Sequence, residues 1–117
     1  MSPRDVVIRP MAAGEGAAVH DLCARVLFDD DPNVSPEVQR ARSIARIEHP
    51  RHTDPGGAWV AERDGEVAGI ALAIVRERLW GFSLFAVDED LQGRGVGREL
   101  LRRSLAYGES LAATGWI

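Results

Sequence analysis

Gln92-Gly93-Arg94-Gly95-Val96-Gly97 is the segment that most narrows what this chain can become. Its glycines alternate, and each lets the backbone approach a neighbour with no Cβ in the way. An apolar run ending at Val87 precedes the segment, and a helical pattern follows it directly. A loop that opens onto a helix gathers backbone N–H groups into an anion nest and adds the positive end of the helix. A pyrophosphate fits such a place, with Arg94 and Arg98 as further cations. The alternative is a strand-to-helix turn with no ligand. Two familiar phosphate motifs do not match. The dinucleotide fingerprint puts G-x-G-x-x-G directly after a strand, and the P-loop needs Gly-Lys before Ser or Thr. This chain has no lysine, since all 14 of its cations are arginine.

The rest of the chain predicts a definite order of elements. Val6-Val7-Ile8-Arg9 before Pro10 reads as a first strand. Val19, Leu22, Cys23, Val26 and Leu27 recur at helical spacing, which predicts a helix over 15–28. Asp29-Asp30-Asp31-Pro32-Asn33 reads as a loop. Ser35 then caps a second helix, with Pro36 at its first position and Glu37 in its first turn. Val38, Ala41, Ala45 and Glu48 share one face of it, and Pro50 is expected to end it in a loop through Gly57.

Ala58–Arg63 reads as a strand, and Asp64-Gly65 is the residue pair of a tight hairpin. Residues 66–77 return, and Leu79–Val87 form a third strand of an antiparallel meander. Val96, Leu100, Leu101, Ser104, Leu105, Gly108, Leu111 and Ala112 trace the inward stripe of the last helix. Gly115 is placed to end that helix, and Trp116-Ile117 open another strand. The fold class is α+β, a mixed αβα sandwich of order β-α-α-β-β-β-α-β.

Composition excludes several classes of function. The chain has 117 residues and 45% apolar content, which suits one packed domain. A net charge of −4 disfavours general nucleic-acid binding. No apolar run is long enough to cross a membrane. Cys23 is the single cysteine, so an internal disulfide and a zinc ribbon are excluded and a reducing cytoplasm is the expected setting. Glu48, His49 and His52 are not spaced as H-E-x-x-H, and no metal site is expected. Cys23 reads as core. Trp59 and Trp80 read as strand packing, with an acceptor cleft as the other place for Trp80.

Gln92 to Gly97 resembles the Q/R-x-x-G-x-G/A signature of the GNAT superfamily of N-acetyltransferases. The flanks Leu84-Phe85-Ala86-Val87-Asp88 and Arg98-Glu99-Leu100-Leu101 agree, and so does the order of elements over essentially the whole chain. The resemblance implies acetyl-coenzyme A as co-substrate. Its pyrophosphate would lie on the amides of Gln92, Gly93, Arg94, Gly95, Val96 and Gly97. Its pantetheine arm would pair with Phe85, Ala86 and Val87, the Phe85 N–H facing the thioester carbonyl. It further implies direct attack by an amine, which needs no protein nucleophile. The acceptor would be an amine-bearing small molecule or peptide.

A general base is not assigned. Glu77 and Asp88 bracket the strand, and either a water-mediated role or a solvated strand-end charge fits them. Asp29–Asp31 fit a lure for a cationic acceptor or a solvated loop. Domains of the family continue past the point where this chain ends, so residues 1–117 are expected to form a single, partial domain. Tyr107 does not match the position of the tyrosine that serves many members as general acid. An open sheet edge there suggests a homodimer. Two other functions stay open: a non-catalytic acyl-coenzyme A-binding module, including a degenerate half of a tandem enzyme, and a structural domain that has lost the ligand.

Overall fold

In a computed structural model, the protein is described for residues 5–27, 32–113, 115 and 116. The expected order is found: β1 Val6–Pro10, α1 Gly16–Val26, α2 Pro36–Thr53, β2 Ala58–Arg63, β3 Glu66–Arg76, β4 Leu79–Val87, α3 Val96–Ser110 and β5 Gly115–Trp116. The strands form one five-stranded sheet in chain order. The first four run antiparallel, and β5 lies parallel to β4 because α3 crosses between them.

Side-chain alternation along the strands divides the core into two layers. Val60, Ile70, Leu72 and Ala86 face Val19, Leu22, Cys23 of α1 and Ile47 of α2. Ala61, Ala68, Ala71 and Val87 face Val96 and Leu100 of α3. The result is the expected αβα sandwich. Fully buried Leu22, Ile70, Leu72 and Leu100 each contribute roughly 2 kcal/mol of apolar burial. At the far end of α3, the Trp80 indole donates to the Ser104 carbonyl at 2.7 Å. Its ring fills the space beside Gly108, where a Cβ would come within 2.5 Å of Trp80 Cδ1. Trp80 is therefore packing and not a cleft wall.

The caps follow the sequence where side chains are specific. Ser35 Oγ accepts the Val38 N–H at 3.3 Å, and Pro36 begins α2. Glu48 reaches across to accept the N–H groups of Gly14 at 3.2 Å and Gly16 at 2.6 Å, so α2 caps α1. That is a structural use for a residue beside His49 and His52, and no metal-binding group occurs among the described residues.

Four expectations are corrected. The buried stripe of α3 is Val96, Leu100, Ser104 and Gly108, whereas Leu111 and Ala112 are exposed because they lie past the last residue of the helix, Ser110. The buried residues of α2 are Ile47 and Pro50, whereas Val38, Ala41 and Ala45 face solvent. Isoleucine buries far more apolar area than alanine, so Ile47 sets the face. Pro50 does not end α2, which continues to Thr53. Proline costs the Arg46 carbonyl its donor, but the Asp54 N–H closes the following turn onto the Pro50 carbonyl at 2.7 Å. Gly115 does not end α3. Ala112 takes the left-handed position at φ +54°, and the N–H of Ala113 bonds the Gly108 carbonyl at 2.9 Å.

Asp54 explains why that extra turn of α2 holds. It is 2% exposed and joins three elements. It accepts from Thr53 Oγ1 at 2.6 Å, Val75 N–H at 3.0 Å, Arg76 Nη1 at 2.7 Å and Tyr107 Oη at 2.7 Å. Burial pushes this carboxyl up, but the hydrogen bonds outweigh burial and hold it down at about 2. Burial, and then the bond to Asp54, pushes the Tyr107 hydroxyl up to about 12.

An aspartate depressed in the folded state stabilises fully above its unfolded value and loses that contribution as pH falls through the folded one. From an unfolded value of about 3.9 the contribution at neutral pH is roughly 2–3 kcal/mol. Urea unfolding of wild type and Asp54→Asn should therefore show a stability gap that narrows by between about 1 and 2 kcal/mol from pH ~5 to pH ~2.5. An equal gap at both values would contradict the hub. Ala112→Gly should relieve the left-handed strain and raise stability by roughly 0.5–1 kcal/mol, read as a higher thermal midpoint. A lower midpoint would mean that Ala112 is not strained.

Candidate functional site

One extra residue shapes the strand on which the site is built. Leu84 lies opposite Leu72 and Phe82 opposite Ala73, so Ser83 is unmatched and forms a bulge in β4. A bulge bends its strand and increases the local twist. Among the described residues β5 pairs with β4 at Leu79 and Trp80, before the bulge. Beyond it, Phe85 to Val87 carry no strand on the outer edge among the described residues.

The ladder decides what that edge offers. The Asp88 N–H bonds the Ala68 carbonyl at 2.8 Å, and Phe85, Ala86 and Val87 lie opposite Ala71, Ile70 and Gly69. Bonded and non-bonded positions alternate in an antiparallel pair. Ala86 therefore bonds towards β3, and the N–H and C=O of Phe85 and Val87 turn to the open edge. Gln92 Nε2 takes the Val87 carbonyl at 3.0 Å. The side chain of Gln92 thus fastens the glycine loop to the end of β4.

The loop is held from the other side by arginine. Arg63 Nη1 reaches Asp90 at 2.6 Å and Nη2 reaches Asp88 at 3.3 Å, and Arg25 meets Asp88 at 3.4 Å. The Arg63 hydrogen bond holds the Asp90 carboxyl below its ordinary value. Leu91 plugs the core beneath. With both ends fixed, Gly93 turns at φ +80° and Gly95 at φ +83°, the latter as the N-cap of α3. Alternation of left-handed residues with ordinary ones is the backbone pattern of an anion nest. Nothing lies within 4 Å of where a Cβ would stand on either glycine, so the approach is open.

A cleft of ≈ 470 Å³ runs along this edge. Phe85, Ala86, Val87, Gln92, Gly93, Gly95 and Gly97 line it. Val96 is buried below in the α3 layer, and the Arg94 side chain turns to a separate recess beside Asp5 and Glu99. Of the two expected cations only Arg98 reaches the cleft. Val26 and Leu27 form the opposite wall, and sequence reading assigned both to the α1 core stripe. The available signal was that this stripe runs on to the end of its helix, where Leu27 is half exposed.

A second recess of ≈ 230 Å³ shares Leu27 with the cleft and lies on the α1 and α2 side of the bulge. Ser43, Arg46 and Ser83 supply its polar groups. Ser43 Oγ is 2.7 Å from His20 Nδ1.

Acid–base candidates fare differently. Glu77 sits in the β3–β4 turn at φ +51°, about 20 Å of extended strand from Phe85. Asp88 is engaged by Arg63 and Arg25. Among the described residues, no Asp or Glu lines the cleft or the second recess. Tyr107 is bound to Asp54 at the other end of α3. Burial pushes the Cys23 thiol up to about 11, so it is core and not a nucleophile. Asp29–Asp31 and Ile117 lie outside the described residues. No helix among the described residues is long and apolar enough to cross a membrane.

An extended anionic ligand fits these parts. The open edge offers backbone pairing, the loop and the start of α3 offer amides, and Arg98 offers charge. A model of the acetyltransferase (GNAT) family matches residues 20–117. The chain belongs to the GNAT family of acetyltransferases.

A search of curated proteins finds no match. Solved GNAT-like structures share the fold. Ard1 from Thermoplasma volcanium superposes with a TM-score of 0.71 at 21% identity, covering 92% of this chain and 66% of that one. The ribosomal-protein-S18-alanine N-acetyltransferase from Escherichia coli gives 0.62 at 18% identity, covering 93% and 63%. AAC(6')-Iy in complex with the bisubstrate analogue CoA-S-monomethyl-acetylneamine gives 0.67 at 14%, covering 97% and 78%. The chain thus spans slightly less than two thirds of the first two relatives.

Proposed function

We propose that the chain transfers an acetyl group from acetyl-coenzyme A to an amine acceptor by direct attack within one ternary complex. The observation that carries this reading is the outer edge of β4, whose Phe85 and Val87 backbone groups run without interruption into the glycine loop and the start of α3. Bound acetyl-coenzyme A supplies an activated thioester. The chain's own part is to bind and orient. Amides of Gly93, Gly95 and Gly97 and the N-terminus of α3 hold a pyrophosphate, and Arg98 adds charge. The N–H of Phe85 is a fixed donor on the edge, and such a donor is worth most where negative charge develops. Val26 and Leu27 close the cleft with apolar surface, which strengthens every polar contact inside.

A second reading is a non-catalytic acyl-coenzyme A-binding domain, and one observation favours it. The described walls of both recesses lack a carboxylate, so no residue there is placed to take the acceptor's proton. Under that reading the cofactor binds and no amine is acetylated.

Calorimetric titration with acetyl-coenzyme A separates these readings from a turn with no ligand. One-to-one binding is expected. Gly95→Val forces a β-branched residue to φ +83° and should weaken binding at least tenfold. Arg98→Gln, which leaves the backbone alone, should weaken it several-fold. Absence of binding by the wild-type chain, with its fold verified by circular dichroism, would overturn both readings. The same sample reports whether the open β4 edge is covered in a dimer.

A further inference from the structure

The second recess carries a preference that the proposed activity does not specify. It lies on the α1 and α2 side of β4, beside the cleft, with Leu27 common to both. The bulged Ser83 and its neighbour Leu84 form its floor, two residues before Phe85. A molecule held there has its reactive end next to the strand edge on which the thioester would lie. Among the described residues, charge in the recess has one sign: Arg46 is the charged residue that lines it, with no carboxylate beside it. The neighbouring arginines are otherwise occupied: Arg40 pairs with Asp21 and Arg25 with Asp88. Among the described residues no carboxylate pairs with Arg46. Its guanidinium therefore presents an unspent fork of donors at the rim, and Ser43, one turn earlier on the same face of α2, presents a hydroxyl held by His20.

Resting on the acetyl-transfer reading, we infer that the acceptor is an amine that also carries an anionic group, a carboxylate or phosphate, which Arg46 and Ser43 bind while the amine points to β4. A guanidinium fork matches either group in two parallel hydrogen bonds, and an apolar wall of Leu72, Leu84 and Ile47 suits a short carbon spacer. A polycationic acceptor meets only Arg46 there and is repelled. Asp29–Asp31 follow closely in sequence and would favour the opposite charge, which makes the comparison decisive.

The test uses a graded series of ω-amino acids, their amides and diamines of matching length, as acceptors in a thiol-release assay and as ligands titrated into the protein with and without coenzyme A. Aminocarboxylates should bind about tenfold more tightly than their amides. Arg46→Gln should bring that ratio close to one, Arg46→Lys should restore part of it, and Arg46→Glu should turn the preference to diamines. Equal use of acids and amides by the wild type, a preference for diamines, or a ratio that Arg46→Gln leaves unchanged would overturn the inference. Coenzyme A titration of each variant reports its fold. If coenzyme A fails to bind, the acetyl-transfer reading fails, and the acid–amide comparison without coenzyme A still decides the preference of the recess.

Discussion

Between Val87 and Val96 the chain must leave a sheet, reverse, and begin a helix, and Arg63 and Gln92 fasten the first half of that turn. Arg63 stands at the end of β2 and pairs with Asp88 and Asp90. Gln92 returns to the last carbonyl of β4. Exposed ion pairs are individually weak, but these share one guanidinium and act on a short segment whose ends are fixed by Leu91 and Val96 in the core. The left-handed turns at Gly93 and Gly95 follow from this fastening, and so does the direction in which α3 presents its free amides. The same geometry that lets the fold close creates the place where an anion can be held.

Opposite ends of α3 are pinned by different chemistry. At its start the constraint is backbone and ion pairs. At its end Tyr107 and Trp80 tie it to Asp54 and to β4. Between these anchors the helix lies flat on Ala61, Ala68 and Ala71, whose small side chains let it approach the sheet closely. The bulge at Ser83 then bends β4, and β5 pairs with it at Leu79 and Trp80. Among the described residues the edge from Phe85 to Val87 stays open beside the N-terminus of α3. The cleft is a product of strand geometry more than of any single side chain, which accounts for the scarcity of reactive groups along it.

Much of this was legible in the sequence wherever one residue type has one physical use. Asp64-Gly65 specified a hairpin because both positions take positive φ, as they do at +53° and +80°. Ser35-Pro36 specified the start of α2. The alternating glycines specified left-handed turns at the start of α3, at φ +80° and +83°, and the stripe of α1 specified a buried face. The sequence was silent where tertiary contacts override local preference. Glu77 and Arg78 make the β3–β4 turn at φ +51° and +71° with neither glycine nor asparagine, because the long pairing of β3 and β4 holds them there. Pro50 lies inside a helix that Asp54 secures from beyond its end. The face of α2 is set by Ile47 and Pro50 and not by the spacing of Val38, Ala41 and Ala45, because small side chains carry little of the apolar burial. Leu27 looked like core, and only its place beyond the last turn of α1 makes it a wall between two recesses. The bulge at Ser83, which opens the edge, leaves no mark in the sequence at all.

Under the proposed function, backbone amides of the loop and of β4 are the ligand-binding groups. Amide chemical shifts of the isotopically labelled protein, recorded as coenzyme A is added, address those atoms directly. The largest changes should fall on Phe85, Val87, Gly93, Gly95 and Gly97, with little change at Asp64-Gly65, the hairpin glycine turn. Saturable changes confined elsewhere, or loop amides that stay in place while coenzyme A binds, would contradict that role.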